Sequence, residues 1–160
     1  MNILALCNYN NNESIAFESI MNHRAMDRVT VFSAGPEPAK RLSEKLVDVM
    51  MRLGHDLRDL EPKSWHGFVE MDAPAIDMIL TLCPEINEFD LPELPGDPVM
   101  VDWSHLFPVE ITANGPRTII DLREIIKLLT VRADTILELP LETMSRNSLA
   151  EAFDRIGSLP

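Results

Sequence analysis

The chain has 160 residues, of which 46% are hydrophobic and 25% charged, a composition that fits one globular domain and leaves little room for a second. Its 14 Lys and Arg against 26 Asp and Glu give a formal net charge of −12, which disfavours general electrostatic binding to nucleic acid or anionic lipid. The two cysteines, Cys7 and Cys83, are too few for a disulfide scaffold or for four thiolates around a structural zinc ion.

Membrane insertion and export are not expected either. No apolar run approaches the roughly 20 residues that cross a bilayer, and the first residues lack the charged and long apolar regions of a secretory signal. We therefore expect a soluble, cytoplasmic protein.

Strand and helix patterns alternate through the first third of the chain. The apolar run over residues 3–7 predicts a buried strand, and apolar positions at helical spacing from Ser14 predict a helix. A second strand is predicted over residues 29–34, before the breaker at Gly35. A second helix is predicted from the N-cap candidate Ser43 to the C-terminal glycine Gly54.

The middle of the chain is less regular. Residues 56–72 predict a loop with at most a short helix, and residues 76–82 predict a third strand. Prolines between residues 84 and 98 indicate an irregular connection, after which residues 99–103 predict a fourth strand.

Two helices are predicted at the C-terminal end. A long amphipathic helix is predicted to begin with Pro116 at its first position and to reach at least Arg132. The pattern Ser148-Leu-Ala-Glu151 resembles a capping box and predicts an appended helix at about 148–157, ended by Gly157.

This alternation predicts the fold class and the location of the functional site. We expect a single α/β domain over residues 1–160, with three layers in which helices cover both faces of a four-stranded parallel sheet. Such sheets place their sites beyond the carboxyl ends of the strands, so the turn after the first strand is the candidate site.

That turn has the layout of a phosphate-binding loop: Cys7, Asn8, Tyr9, Asn10, Asn11, Asn12, Glu13, Ser14. In such a loop backbone N–H groups converge on an anion, and the helix N-terminus adds its partial positive charge. The same field favours a thiolate that can attack phosphorus or arsenic. The alternative is that Cys7 is a small buried apolar residue and that the asparagines only supply turn conformations.

These residues resemble the low-molecular-weight protein tyrosine phosphatases and the thioredoxin-coupled arsenate reductases that share their fold. The pattern of that superfamily is Cys, five residues, Arg, Ser at the end of the first strand. The resemblance implies that Cys7 is the nucleophile, Asn10 a loop-stabilising residue, Ser14 a hydroxyl near the thiolate and Glu18 the helix glutamate.

Further segments support the resemblance, which covers roughly residues 1 to 135. Ser33-Ala-Gly35 is similar to the ending of the superfamily's second strand, and Leu53-Gly-His-Asp56 to the exit from its second helix. Thr81-Leu-Cys83 is similar to the strand end that carries a resolving cysteine in the arsenate reductases, so Cys83 is a possible redox partner of Cys7.

Three departures from the pattern bear on function. The loop arginine is replaced by Glu13, so a cation that would hold the oxyanion becomes a carboxylate. Two like charges about 4 Å apart cost on the order of 4 kcal/mol at an effective dielectric constant of 20. The general-acid Asp before a proline is replaced by Phe107, before Pro108, and Phe107 cannot protonate a leaving group. Asp90 stands where the arsenate reductases carry their second resolving cysteine.

We therefore expect a catalytically inactive, phosphatase-like protein that works as a binding or regulatory module, for a protein partner or a small oxyanion. One alternative is an active phosphatase or arsenate reductase that uses Cys7 with a cation borrowed from Lys40 or Arg41, or with Asp102 or His105 as the acid. Another is a thiol redox sensor that joins Cys7 and Cys83.

Other candidate features carry weaker expectations. His23, His55, His66 and His105 lack metal-ligand spacing, so neither a metal nor another cofactor is expected. The excess of apolar positions on the long helix leaves room for a homodimer or partner interface.

Overall fold

The structure is a computed structural model that describes residues 1–107, 111–112, 115–116 and 118–160. Its centre is a four-stranded parallel sheet in the order β2-β1-β3-β4. The strands are β1 (Asn2–Leu6), β2 (Thr30–Ala34), β3 (Met78–Thr81) and β4 (Val99–Asp102). The central strands β1 and β3 are almost entirely buried, as continuous apolar runs in parallel sheets require. The predicted α/β fold class is confirmed.

The helices follow the strands along the chain. They are α1 (Glu13–Arg24), α2 (Glu44–Arg52), α3 (Ile119–Leu137) and α4 (Arg146–Gly157), with short 3-10 helices at Trp65–Val69, Pro84–Glu88 and Leu141–Thr143. A two-stranded antiparallel ribbon joins β5 (Ile111–Thr112) to β6 (Gly115–Pro116). In the described part of the chain, no helix combines the length and the apolar composition needed to cross a bilayer.

Two helix starts differ from the sequence-based prediction. Pro116 belongs to β6, and α3 begins after Thr118, whose hydroxyl accepts the backbone N–H of Asp121 while that carboxylate accepts the N–H of Thr118. This capping box outcompetes a proline start because it satisfies two N–H groups at once. The appended helix α4 begins at Arg146 with Ser145 as N-cap, so the predicted capping box at Ser148 was wrong.

Both faces of the sheet are covered. Ser33 of β2 points towards α1, where its hydroxyl donates to Glu18. The neighbouring Phe32 therefore points to the opposite face, where its ring meets Phe68 of the first 3-10 helix at a centroid distance of 5.7 Å. On the side of the sheet that α1 covers, α3 packs against α1, α2 and α4.

The register of the sheet places the carboxyl ends of its strands at one level. Leu6 of β1 pairs with Ala34 of β2 and with Thr81 of β3, and Thr81 pairs with Asp102 of β4. The residues that follow these four ends therefore share one edge of the sheet. This edge carries the loop from Cys7 to Ser14, as predicted.

Gly35 fits under this loop only because it has no side chain. A Cβ atom there would lie 2.2 Å from the carbonyl oxygen of Cys7 and 2.4 Å from that of Asn8. Both are backbone atoms, which cannot move aside as a flexible side chain can. Gly35 also donates its N–H to Lys63 and accepts one from Trp65, so it is fixed from both sides.

We expect Gly35→Ala to lower the free energy of unfolding by about 1 to 3 kcal/mol, the usual cost of overpacking a filled site. Gly67→Ala is the matched control, because a Cβ at Gly67 meets nothing within 4 Å. Urea unfolding of both variants measures the effect. Equal urea midpoints for Gly35→Ala and Gly67→Ala would contradict the expected clash with the carbonyl oxygens of Cys7 and Asn8.

Candidate functional site

The loop between β1 and α1, residues 7–14, is held in shape by its own backbone. Three of its carbonyl groups accept N–H groups from the segment after β2: Asn8 from Glu37 at 3.2 Å, Tyr9 from Ala39 at 2.9 Å and Asn11 from Ser43 at 3.1 Å. These hydrogen bonds fix the backbone of the loop against the segment that follows β2. We call this loop the cradle.

Asn10 stabilises the cradle through hydrogen bonds of its buried side chain. It is fully buried and has a φ of 46°, a left-handed conformation that Asn adopts more readily than most residues. Its side-chain amide donates to the hydroxyl of Ser14 at 2.9 Å, and its side-chain oxygen accepts the backbone N–H of Lys63 at 2.7 Å. The Ser14 hydroxyl is thus engaged with Asn10.

A half-buried ion pair lies beneath the cradle. Glu18 of α1 is buried, accepts the Ser33 hydroxyl and accepts a hydrogen bond from the Lys63 ammonium group at 3.2 Å, while the Lys63 side chain is partly exposed. Lys63 therefore binds the cradle through its backbone and α1 through its side chain. This lysine lies in a loop without periodic pattern or motif, so no sequence signal marks it.

Cys7 faces Glu13, the residue that stands in place of a loop arginine in the predicted resemblance. The thiol and the carboxyl group are both buried, with exposed fractions of 4% for Cys7 and 2% for Glu13. Cys7 Sγ donates to Glu13 Oε2 at 3.3 Å. The cradle therefore contains a carboxyl group supplied by the chain itself, in contact with the sulfur atom.

Burial dominates the protonation of Glu13. It raises the pKa of Glu13 from 4.5 to about 7, while the backbone N–H of Glu13 and the Cys7 thiol partly offset the increase. The Glu85 carboxylate, which follows β3, contributes a further small increase. Near neutral pH, Glu13 thus carries a fraction of a negative charge inside the cradle.

The Cys7 thiol is held in its neutral form. Burial raises its pKa well above the ordinary value, and the side chains of Cys83 and Glu13 raise it further. Phosphatase nucleophiles of this kind need the opposite shift, because only a thiolate attacks efficiently. The environment of Cys7 is therefore adverse to nucleophilic chemistry.

Cys83 lies against the start of the cradle. It is buried, and its sulfur accepts the backbone N–H of Asn8 at 3.1 Å. This N–H group is one that an anion-binding loop would present to its ligand. Both cysteines are free thiols in this structure.

Buried oxygen atoms without a hydrogen-bond partner gather at this edge of the sheet. Within the described part of the chain they are Asn8 Oδ1, Glu13 Oε1, Glu85 Oε2 and Ser104 Oγ, which follow the carboxyl ends of β1, β3 and β4. The first three are acceptors, and an incoming oxyanion would bring more acceptors rather than the donors they lack, whereas the Ser104 hydroxyl can also donate. The three acceptor atoms are therefore unfavourable to an oxyanion at this edge.

The described residues that follow β4, residues 103–107, include no Asp or Glu. Phe107 packs against the guanidinium group of Arg132, which lies 4.9 Å above its ring, while Pro108 lies outside the described residues. Burial opposes the ionisation of Asp102, but hydrogen bonds from Ser104 and Thr81 outweigh it and hold the pKa of Asp102 below its ordinary value. A carboxylate held ionised is a poor proton donor.

Arg132, which sequence analysis placed only as a helix residue, is a buried cation. It is 1% exposed and donates to the carbonyl group of Leu106 at 2.6 Å. Its other ring contact is with Trp103, 5.2 Å from the guanidinium carbon. A charged residue in an amphipathic pattern predicts a wetted position, so the sequence gives no signal of this role.

The cations considered as substitutes for the loop arginine lie beside the cradle. Lys40 and Arg41 line a cavity of about 490 Å³ together with Asn11 and Asn12. The Arg41 side chain is 82% exposed and pairs with Glu44 at 3.5 Å. These cations therefore flank the outer side of the asparagine run.

The histidines are distributed over several elements. His23 and His55 face each other with ring centroids 5.3 Å apart, and His55 also hydrogen-bonds Ser19. Among the residues that the structure describes, no three His, Cys, Asp or Glu side chains are grouped as a metal site would need.

Solved structures of known proteins share this fold. The chain matches no protein-family model and no curated protein sequence. A low-molecular-weight protein tyrosine phosphatase from T. tengcongensis superposes with a TM-score of 0.66 at 19% identity, over 86% of this chain and 98% of that protein. An arsenate reductase from Archaeoglobus fulgidus gives a TM-score of 0.64 at 23% identity, over 86% and 99% of the two chains.

A third structure is the thioredoxin-dependent arsenate reductase of Corynebacterium glutamicum, with a TM-score of 0.59 at 22% identity. The match covers 84% of this chain but only 59% of the length of that reductase. At these identities the similarity establishes the fold. The predicted resemblance to the low-molecular-weight phosphatase and arsenate reductase superfamily is thus confirmed for the architecture.

The buried carboxyl group of Glu13 makes stability depend on pH. Because its pKa is raised in the folded state, its contribution to stability is fully present below the unfolded pKa and is lost as pH rises through about 7. Between about pH 5 and pH 8 we expect the wild type to lose about 2.5 kcal/mol relative to Glu13→Gln. The measurement is urea unfolding at each pH.

Glu44→Gln is the matched control, since Glu44 occupies the same first position of α2 but is exposed. We expect the free energy of unfolding of Glu44→Gln to differ from that of the wild type by a nearly constant amount across the same pH range. A Glu13→Gln profile parallel to that of the wild type would show that Glu13 is not the titrating group.

Proposed function

We propose that this protein is a non-catalytic relative of the low-molecular-weight phosphatases and arsenate reductases, which works as a binding or regulatory module. The observation that carries the proposal is the contact of Glu13 with Cys7 inside the cradle, at 3.3 Å. The chain's own carboxyl group takes the place that an oxyanion would need. We also propose a cytoplasmic location, where both cysteines would stay reduced.

The electrostatics support a loss of oxyanion binding. A phosphate would enter a site that contains a partly ionised Glu13 carboxyl group and lacks the arginine to offset it. At about 4 Å and an effective dielectric constant of 20, one such pair of charges costs on the order of 4 kcal/mol. This cost exceeds the roughly 0.3 to 2 kcal/mol that a helix N-terminus offers an anion.

The protonation states support a loss of chemistry. The nucleophile of the proposed reaction would be a thiol whose pKa is raised by burial, Cys83 and Glu13. Phe107 offers no proton for a leaving group, and Asp102 is held as a carboxylate. Attack would thus lack a thiolate, and neither Phe107 nor Asp102 would protonate the leaving group.

We expect no hydrolysis of p-nitrophenyl phosphate above the level of Cys7→Ser, in an assay that follows nitrophenolate release. The nucleophile variant is the control because it removes the sulfur and leaves Glu13 in place. Hydrolysis that Cys7→Ser abolishes would refute the non-catalytic assignment.

The same proposal predicts that phosphate binding can be restored. Glu13→Arg should bind inorganic phosphate at least about tenfold more tightly than the wild type in calorimetric titration, since a charge-assisted hydrogen bond contributes roughly 1.5 to 3 kcal/mol. Glu13→Gln removes the negative charge without adding a cation and should fall between the two. Tight phosphate binding by the wild type would contradict the proposal.

A second candidate function is thiol redox sensing, which the proximity of the cysteines favours. Burial raises the pKa of Cys7, the Cys83 side chain raises it further, and the sulfur atom of Cys83 accepts the backbone N–H of Asn8, the residue next to Cys7. Oxidation by a peroxide would join the two sulfur atoms, with both thiol hydrogens leaving in two molecules of water. The Asn8 N–H would then lose its thiol acceptor.

If the chain is such a sensor, hydrogen peroxide should convert the protein to a species lighter by two hydrogens, as measured by intact mass spectrometry after alkylation. The reaction should accelerate with rising pH, since the raised pKa of Cys7 limits the thiolate. Cys83→Ser is the control and should take up alkylating reagent at Cys7. Two alkylated thiols after peroxide would exclude this function.

A further inference from the structure

An apolar groove runs between α2 and α3, on the side of α2 away from the cradle. Val49 and Ile126 form its buried floor, and Leu53 and Val131 form walls that are 58% and 41% exposed. Its volume is about 430 Å³, within the roughly 300 to 1,000 Å³ range of binding clefts. We call it the α2–α3 groove.

One further exposed apolar residue of α3 lies beyond the groove. Ile120 is 75% exposed and lies one turn before Arg123, on the same side of the helix. The exposed residues between Ile120 and Val131 are charged: Arg123, Glu124 and Lys127. A groove flanked by two helices suits a partner that is itself a helix.

The rim of the groove is positively charged. Arg52, Arg123 and Lys127 line it, and no carboxylate does. Arg52 pairs with Asp48 at 3.0 Å, whereas Arg123 and Lys127 form no ion pair with any residue in the described ranges. In a chain with a net charge of −12, this local excess of cations is the opposite of the molecule's overall charge.

We propose that the α2–α3 groove docks an acidic amphipathic helix of a partner protein. Its aliphatic side chains would fill the groove, and its carboxylates would face Arg123 and Lys127. This is the complementarity expected of a helix that lies in a groove, with apolar anchors at positions i, i+3, i+4 and i+7. The inference does not depend on whether the cradle is catalytic.

Charge disfavours a second copy of the chain as the occupant. A twofold interface places the same surface on both sides, so the three rim cations would meet their equivalents, and two bodies of charge −12 would be brought together. An acidic helix instead neutralises the rim while its apolar face covers Leu53 and Val131.

The test uses a fluorescein-labelled peptide of about 18 residues, with leucines at i, i+3, i+4 and i+7 and glutamates on the flanks. Fluorescence anisotropy with the full chain should show binding that weakens with added NaCl. Lys127→Glu should reduce the affinity about tenfold or more. A peptide with lysines in place of the glutamates should bind at least about tenfold more weakly than the acidic one.

Arg155→Glu is the matched control, because Arg155 is an exposed helical cation that does not line the groove. It changes the net charge as Lys127→Glu does, and it should leave the affinity within about twofold. Chemical shift changes in ¹⁵N-labelled protein should centre on Leu53 and Val131.

Three results would overturn the proposal: no binding of the acidic peptide, equal effects of the Lys127 and Arg155 variants, or shift changes elsewhere. Sedimentation that shows a dimer, which Leu53→Glu dissociates, would assign the groove to a second copy and also overturn it. Restored phosphate binding in Glu13→Arg bears on the cradle alone and leaves this inference unaffected.

Discussion

The contact between the Cys7 thiol and the Glu13 carboxyl group determines what the cradle can do. At the first position of α1 the loop holds a buried acid, and the sulfur donates to it at 3.3 Å. Burial raises the pKa of both groups; Glu13 raises the pKa of the thiol further, whereas the hydrogen bond from the thiol lowers that of Glu13. The loop thus combines a neutral thiol with a partly ionised carboxyl group.

The contacts that hold the backbone of the cradle come from residues other than Glu13. The carbonyl groups of the cradle are held by the backbone after β2, Asn10 is held by Lys63 and Ser14, and Gly35 lies against the carbonyl groups of Cys7 and Asn8. None of these contacts involves position 13. A substitution there alters charge and protonation while the packing beneath the loop still specifies the same backbone.

The sequence predicted the sheet and the position of the candidate site better than it predicted the helix ends. Continuous apolar runs and breakers such as Gly35 mark parallel strands well, because burial on both faces leaves no other pattern. The helix starts predicted at Pro116 and Ser148 were wrong because several residues in one turn can cap a helix, and the choice among them depends on tertiary geometry. Lys63 and Glu85 escaped notice because they reach the site from loops, where no periodicity marks a side chain's direction.

The unusual protonation of the site was also beyond sequence reasoning. The substitution at Glu13 predicts repulsion of an anion, but only burial explains why its pKa rises to about 7 and why the adjacent thiol is held neutral. The location of Arg132 is a similar case. A helical arginine is expected at the surface, but the guanidinium group of Arg132 lies against the rings of Trp103 and Phe107. In both cases the fold, rather than the residue type, sets the charge state or the location of the group.

The distribution of charge gives the molecule two contrasting surfaces. The carboxyl edge of the sheet presents unpartnered oxygens and a buried acid, so an acidic ligand that approached the cradle would be repelled. The α2–α3 groove presents apolar surface framed by Arg123 and Lys127. Ser43, the N-cap of α2, donates its N–H to the carbonyl group of Asn11, and the C-terminal end of α2 lines the groove, so the two surfaces lie at opposite ends of one short helix. An acidic partner would therefore be directed by charge to the groove and away from the cradle.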